Sequence, residues 1–316
     1  AKEPEISVLV PIYNVESYLC TCLESLRTQT FGDFEAICIN DGSTDGSRAI
    51  IQEFVDADPR FKVIDKANSG YGASMNQGLK EARGRFVAIL ESDDFFELDA
   101  LARLHEASVA AKADVVKANF WLYWSCPEER RELFRAVDAR EAAGIFAPLD
   151  DVALFFRKPS IWSALYGRSF LERNGIWFLE TPGASYQDAG FNFKVWACAR
   201  RVTCLETPVL CYRQDNEASS VNSPSKVFCV CDEYESMDKF LDGLDLSAGD
   251  LRKLRGILTR MKLDSYLWNY DRLSDELRPQ FVDRVSEEFS RDLSRGFDWT
   301  FFEPVSYTHL TLPTKR

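Results

Sequence analysis

The chain has 316 residues, 46% of them apolar, with a formal net charge of −12. That length and apolar content support one large or two modest domains with a sizeable core. The acidic balance argues against general nucleic-acid binding, which needs a basic footprint. Nine scattered cysteines without a Cys-x-x-Cys pair, and only two histidines, argue against a structural zinc site. Cysteines inside apolar runs such as "EAICIN" read as small buried hydrophobes of a reducing compartment. No apolar run approaches the roughly 20 residues of a membrane span. The stretch "AKEPEISVLV" lacks a signal-peptide pattern, so a cytoplasmic chain is expected.

The first half alternates strand and helix patterns. "ISVLVPI" is a continuous apolar run of the kind buried parallel strands show. A helix is predicted over 15–27, with Val15, Leu19, Cys22, Leu23 and Leu26 on one face and Asn14 as N-cap. Strand "EAICIN" follows, then the turn "DGSTDGS", a helix over 47–55 and strand "FKVI". The next helix, over 73–83, is expected to end at Gly84 as its C′ residue. Strand "RFVAIL" runs into Glu91, Ser92, Asp93 and Asp94, and a helix over 98–111 leads to strand "DVVKA". Such alternation implies a doubly wound, mostly parallel α/β sheet with helices on both faces. In these sheets ligands bind beyond the carboxyl ends of the strands. "PIYN", "NDGSTDGS" and "ESDD" therefore converge on one edge.

Residues 119–215 are less regular and rich in aromatics. From about 225 to 295 the pattern turns helical, with a stripe through Val227, Phe228, Cys231, Tyr234, Met237 and Leu241. A second stripe runs through Leu251, Leu254, Leu258, Met261 and Tyr266. Both read as core-packing faces. The expected organisation is an α/β domain over 1–215, a helical region over 216–304, and a non-native tail over 305–316 that resembles a translated cloning adapter.

Three segments carry chemistry. The carboxylates at 91–94 suit a hard divalent cation, which takes oxygen ligands, and equally suit a helix start. Asp41 follows a strand directly, placed to accept from a ligand's NH or hydroxyl, or to belong to an ordinary turn capped by Asp45. "KANSGYGASMNQG" resembles a loose phosphate loop, with Gly70 and Gly72 letting backbone approach an anion at a helix N-terminus, helped by Lys66 and residues 73–76. It is neither a dinucleotide fingerprint nor a Walker loop.

Together "VLVPIYNVESYL", "NDGSTDGS", "NSGYGASMNQGLKEARGRFVAILESDD" and "YQDAGF" resemble the family 2 glycosyltransferases of GT-A fold, over roughly residues 5 to 215. The resemblance implies a Rossmann-like fold, a nucleotide-diphosphate sugar donor, most simply UDP-linked, and inversion at the anomeric carbon. It also implies a divalent metal, Mg²⁺ or Mn²⁺. Pro11, Tyr13 and Glu16, with Asn14 beside them, match the nucleoside pocket, and Asp41 matches the acid that reads the base. Lys66, Asn68, Gly70 and Ser74 fall on the donor side. Glu91, Ser92 and Asp93 match the D-x-D motif, with Asp93 and adjacent Asp94 as metal ligands. Asp188 matches the general base, and Trp162, Tyr186 and Gln187 fall where sugar and acceptor are bordered. The implied acceptor is a glycan or a lipid-linked glycan of cell-surface polysaccharide synthesis, at the inner face of the plasma membrane. "LRKLRGILTRMK" is a modest candidate for peripheral membrane association, and reads more simply as an ordinary amphipathic helix.

Three departures stand out. Glu91 replaces the usual aspartate, Gln187 replaces the glutamate before the base, and "YRQDNEASS" lacks the histidine that often follows Tyr-Arg. Two other readings compete. A sugar nucleotidyltransferase needs a Gly-rich basic loop after the first strand, where this chain has "PIYNVESYL". A catalytically inactive sugar-nucleotide binder is compatible with Glu91 and Gln187.

Overall fold

The computed structural model describes residues 3–216 and 227–302. The chain divides into two compact units, Ala1–Ser219 and Ser220–Arg316. Positions 305–316 lie outside the described residues.

In the first unit the elements alternate as β1 (Ile6–Ile12), α1 (Glu16–Arg27), β2 (Phe34–Asp41), α2 (Ser47–Ala57), β3 (Phe61–Lys66), α3 (Tyr71–Glu81) and β4 (Phe86–Ile89). There follow β5 (Phe95–Phe96), α4 (Ala100–Ala111), β6 (Val115–Ala118), β7 (Phe120–Trp124), β8 (Arg130–Phe134), α5 (Ala139–Ala142) and α6 (Ala153–Phe156). β9 (Ala164–Gly167), α7 (Arg168–Arg173), α8 (Gln187–Cys198), β10 (Val202–Leu205) and β11 (Leu210–Arg213) complete it. The main sheet has the order β10-β6-β9-β4-β1-β2-β3. All its pairings are parallel except those of β9, which runs antiparallel to both β4 and β6. The register sets Ile12 beside Asn40 and Asp41 beside Lys66, so the ends of β1, β2 and β3 lie level. Every residue of β1, β2 and β4 is buried, as the unbroken apolar runs require.

A second sheet, order β5-β11-β7-β8, is built from the aromatic segments that carried no clear pattern. Two of its three pairings join residues far apart in sequence, such as Phe96 with Leu210. The acidic stretch 91–94 spans from β4 of the main sheet to β5 of this one.

Several local expectations are corrected. Asn14 is not the cap of α1: it sits at φ +47° and Val15 precedes the helix without a side-chain cap. The Asn14 side chain instead accepts from Thr44 N at 2.7 Å, tying the β1–α1 turn to the β2–α2 turn. α3 starts two residues early and closes at Glu81, so Gly84 is no helix C′ residue. Gly84 is required by close approach, since a Cβ there would stand 2.4 Å from Ser7 N. Asp45 serves both flanking helices, accepting from Ser47 N at 3.0 Å and Glu16 N at 3.1 Å.

The second unit contains α9 (Cys229–Asp242), α10 (Ala248–Arg272), α11 (Arg278–Arg295) and a 3₁₀ turn, Trp299–Phe301. Cys231, Tyr234, Met237 and Leu241 are buried with Leu254, Leu258 and Tyr266, whereas Leu251 and Met261 are half-buried. Within "LRKLRGILTRMK" Leu254, Ile257 and Leu258 are buried and cations meet acids: Arg255 with Asp242, Arg260 with Asp264, and buried Lys262 with Asp292 at 2.7 Å. That segment serves the unit's own packing. Among the described residues no helix is long and apolar enough to cross a membrane.

Candidate functional site

At the end of β2 the Asp41 carboxylate is 5% exposed. It accepts from Ser69 N at 2.9 Å and Gly70 N at 3.0 Å and is paired with Lys66. Lys66 also reaches Ser69 Oγ at 2.5 Å. The anion at the start of α3 is therefore Asp41 itself, which corrects the phosphate-loop reading of Gly70 and Gly72. The glycines admit backbone instead. A Cβ on Gly70 (φ +93°) would stand 2.6 Å from Thr181 O, and one on Gly72 2.0 Å from Leu179 O. Buried Ser74 turns its hydroxyl onto Gly70 O. Asn68 is exposed at the rim. Of the expected nucleoside-side residues, Pro11 is buried in β1, Tyr13 is exposed, and Glu16 accepts from Gly46 N at 2.5 Å.

The carboxylates after β4 face different ways. Tyr71 OH donates to Glu91 Oε1 at 2.6 Å. Burial pushes the Glu91 acid up to about 8; the Tyr71 bond opposes this, and the Asp93 and Asp188 charges add to it. Asp93 Oδ2 accepts from Asn216 Nδ2 at 2.8 Å. Asp94 turns toward the second sheet, 1% exposed, and Arg213 N donates to its Oδ1 at 2.8 Å. Its Oδ2 has no partner, and burial together with the Asp93 charge raises this acid well above the carboxylate range. Arg213 also donates from Nε to Asp93 O at 3.0 Å, its guanidinium lying against the rings of Tyr18 and Tyr123. Ser92 is half-buried between these acids.

Asp188 stands in the first turn of α8. Burial lifts its acid to about 6 in spite of the Ala189 amide and the Lys158 charge, which act to lower it. Desolvation thus raises this acid further than those contacts lower it, and it still ionises below neutral pH. Tyr186, which precedes the helix, sits at φ +50°, a left-handed conformation costing roughly 1–2 kcal/mol for a non-glycine residue. Gln187 does not border an open acceptor space: it is 2% exposed and spans its own loop. Its Nε2 donates to Thr181 Oγ1 at 3.0 Å and its Oε1 accepts from Ser185 N. Trp162, 6% exposed with Nε1 unpartnered, packs on Tyr212 at 4.9 Å between ring centres. Lys158 Nζ lies 4.5 Å above the same ring. The Tyr212 hydroxyl is pushed up to about 12, by burial first and then by the charges of Asp94, Asp93, Asp188 and Glu91.

One neighbourhood thus holds Glu91, Asp93, Asp94 and Asp188 with Tyr71, Tyr212, Lys158 and Trp162. Tyr71, Lys158, Tyr212 and Arg213 were not singled out from the sequence. Tyr71 stood inside a recognised motif, and the others join the site through the second sheet and the loop before β9.

Among the described residues no group of three or more His, Cys, Asp or Glu side chains forms a ready metal cage. A hard divalent cation bound through one carboxylate and substrate phosphates nevertheless suits this donor set. The Asp93 carboxylate accepts from Asn216 and presents hard oxygen atoms. Asp94, buried and facing Arg213, does not suit that role.

The family model of glycosyl transferase family 2 matches residues 7–193. EpsH of Bacillus subtilis is 36% identical over 217 residues, 66% of this chain and 61% of EpsH. GlyA, a glycosyltransferase of Streptococcus pneumoniae, is 31% identical over 67% of this chain and 31% of its own length. The chain therefore spans about three fifths of one relative and under a third of the other. Residues 1–349 of TarS from S. aureus superpose with a TM-score of 0.74 at 21% identity, covering 92% of this chain and 82% of that one. The same protein in complex with UDP-GlcNAc gives 0.71 at 23%, covering 90% and 80%. Likeness at that identity shows the fold, which is GT-A-like. The chain belongs to glycosyl transferase family 2.

Proposed function

We propose that the chain is a metal-dependent, inverting glycosyltransferase that moves a sugar from a UDP-sugar to a hydroxyl of a glycan or lipid-linked acceptor. The setting is cell-surface polysaccharide synthesis at the cytoplasmic face of the plasma membrane. The observation that carries this reading is the convergence of Asp188 with Glu91 and Asp93, from α8 and from the end of β4, in one electrostatic neighbourhood.

Asp188 has the properties of a general base. With its acid at about 6, it is ionised at neutral pH yet basic enough to take a hydroxyl proton. The acceptor hydroxyl loses its proton to the Asp188 carboxylate as its oxygen bonds to the anomeric carbon. The bond from that carbon to the diphosphate breaks, and its electron pair leaves with the nucleoside diphosphate. Inversion follows from attack on the face opposite the leaving group. Asp93 would hold a bound Mg²⁺ or Mn²⁺, which would supply positive charge for the leaving diphosphate. Trp162 offers an indole N–H and an apolar face to a sugar ring, and Lys158 offers a cation beside Asp188. At the base end, Tyr13 is exposed and free to stack, and Asp41 is already ordered by Ser69 and Gly70.

Thermal shift with UDP-, GDP- and dTDP-sugars, each with and without Mn²⁺, tests the reading. At a hundred times Kd a donor stabilises by about 2.7 kcal/mol, and the UDP series with Mn²⁺ is expected to do so. A melting temperature indifferent to every nucleotide sugar overturns the proposal.

A further inference from the structure

We propose that Tyr71 is a positioning residue for Glu91, and that the two act as one unit in holding the donor. This inference rests on the sugar-transfer reading above. Tyr71 OH donates to Glu91 Oε1 at 2.6 Å, while Glu91 Oε2 has no partner among the described residues. One carboxylate oxygen is therefore fixed by the protein and the other is left to accept from a donor hydroxyl.

The tyrosine is itself held from three sides. It opens α3, its N–H donates to Gly183 O at 3.0 Å, and its ring meets Phe178 edge-on at 5.9 Å. Phe178 in turn stacks on Phe191 of α8 at 4.3 Å, and its backbone N–H donates to Asn76 Oδ1 at 2.9 Å. The hydroxyl therefore points at Glu91 from a fixed base.

Geometry explains why a glutamate suits this position. Shortening the side chain by one methylene withdraws the carboxylate by roughly 1 Å or more, taking a 2.6 Å bond beyond the ~3.5 Å at which a hydrogen bond is lost. The longer acid and the tyrosine fit each other; an aspartate at 91 has no use for the hydroxyl at 71.

A double-mutant cycle on the full chain tests the pairing, read by calorimetric titration of UDP in the presence of Mn²⁺, with melting temperature as the folding control. Tyr71→Phe, which keeps the ring packing, is expected to weaken UDP about tenfold. In the Glu91→Asp background the same change is expected to cost less than twofold. In the Glu91→Gln background, which keeps an acceptor for the hydroxyl, it should again weaken binding. Losses that simply multiply in the Glu91→Asp background overturn the pairing while leaving the sugar-transfer reading intact. A wild-type chain that binds no UDP overturns both.

Discussion

Gly72 lies against the backbone of Leu179 so closely that a Cβ at position 72 would stand 2.0 Å from the Leu179 carbonyl oxygen. The obstacle is main chain, which cannot swing aside as a long side chain would. The strap at 179–183 also holds Gly70 and is tied to Gln187 through Thr181. Gly72→Ala is therefore expected to destabilise the fold by about 1–3 kcal/mol. It should also lower transfer, because the strap leads to Asp188. Unchanged urea melts with full activity would show that this contact is not required.

The pH dependence of catalysis should follow Asp188. Its acid lies at about 6 instead of the ordinary 3.8, chiefly through burial. Below about pH 6 the base is protonated, so kcat/KM should fall about tenfold per pH unit there. The same shift acts on stability with the opposite sense from a paired carboxylate. Between about pH 4 and pH 6 the folded chain keeps a proton that the unfolded chain has released, so stability falls as pH rises through that window. Asp188→Asn removes this penalty and should stabilise the protein by about 2 kcal/mol at pH 8, with the gain vanishing near pH 4. An equal gain at both pH values would contradict the burial argument.

Gln187→Glu restores the family's acidic pair at positions 187 and 188. The structure predicts a loss, not a gain. The amide nitrogen that donates to Thr181 Oγ1, and more weakly to Gly183 O, becomes a carboxylate oxygen facing those same acceptors. The cost should be about 1–3 kcal/mol, together with slower transfer. Denaturant titration and initial rates check both; a more stable or more active variant would refute the loop-closing role.

Glu35 offers a test of the scaffold remote from the site. It is 3% exposed and accepts from Ser7 Oγ at 2.7 Å and Arg83 N at 2.9 Å, with Lys62 and Arg83 as ion partners. Burial raises its acid, but these partners more than offset burial and hold it at about 2. Its stabilisation is complete above about pH 4.5 and is lost as pH falls toward 2. Glu35→Gln should thus cost about 1–3 kcal/mol at pH 7 and markedly less at pH 3. A cost independent of pH would refute this.

How far the site was legible depended on how local its signals are. Asp41, Glu91 and Asp93 end strands whose apolar runs are unmistakable, and Asp188 opens a helix, so short-range pattern suffices. Sheet order required more, since β9 enters between β4 and β6 against the direction of both. The four-stranded sheet was invisible because strands as short as Phe95–Phe96 exist only through partners more than a hundred residues away. Gly70 and Gly72 announced a close approach but not what approaches, and an anion was assigned where the 179–183 backbone sits. Tyr71 and Arg213 matter through tertiary contacts, to Glu91 and to Asp93 and Asp94, that no periodicity encodes.

The central claim is that Asp188 takes the acceptor's proton in sugar transfer. Asp188→Asn, measured for UDP-sugar binding by calorimetry with Mn²⁺ and for transfer to a hydroxyl acceptor, tests it most directly. The account predicts donor affinity within about threefold of wild type and transfer reduced by 10²–10⁴, the range a positioned base supplies. Transfer that persists near the wild-type rate would contradict it.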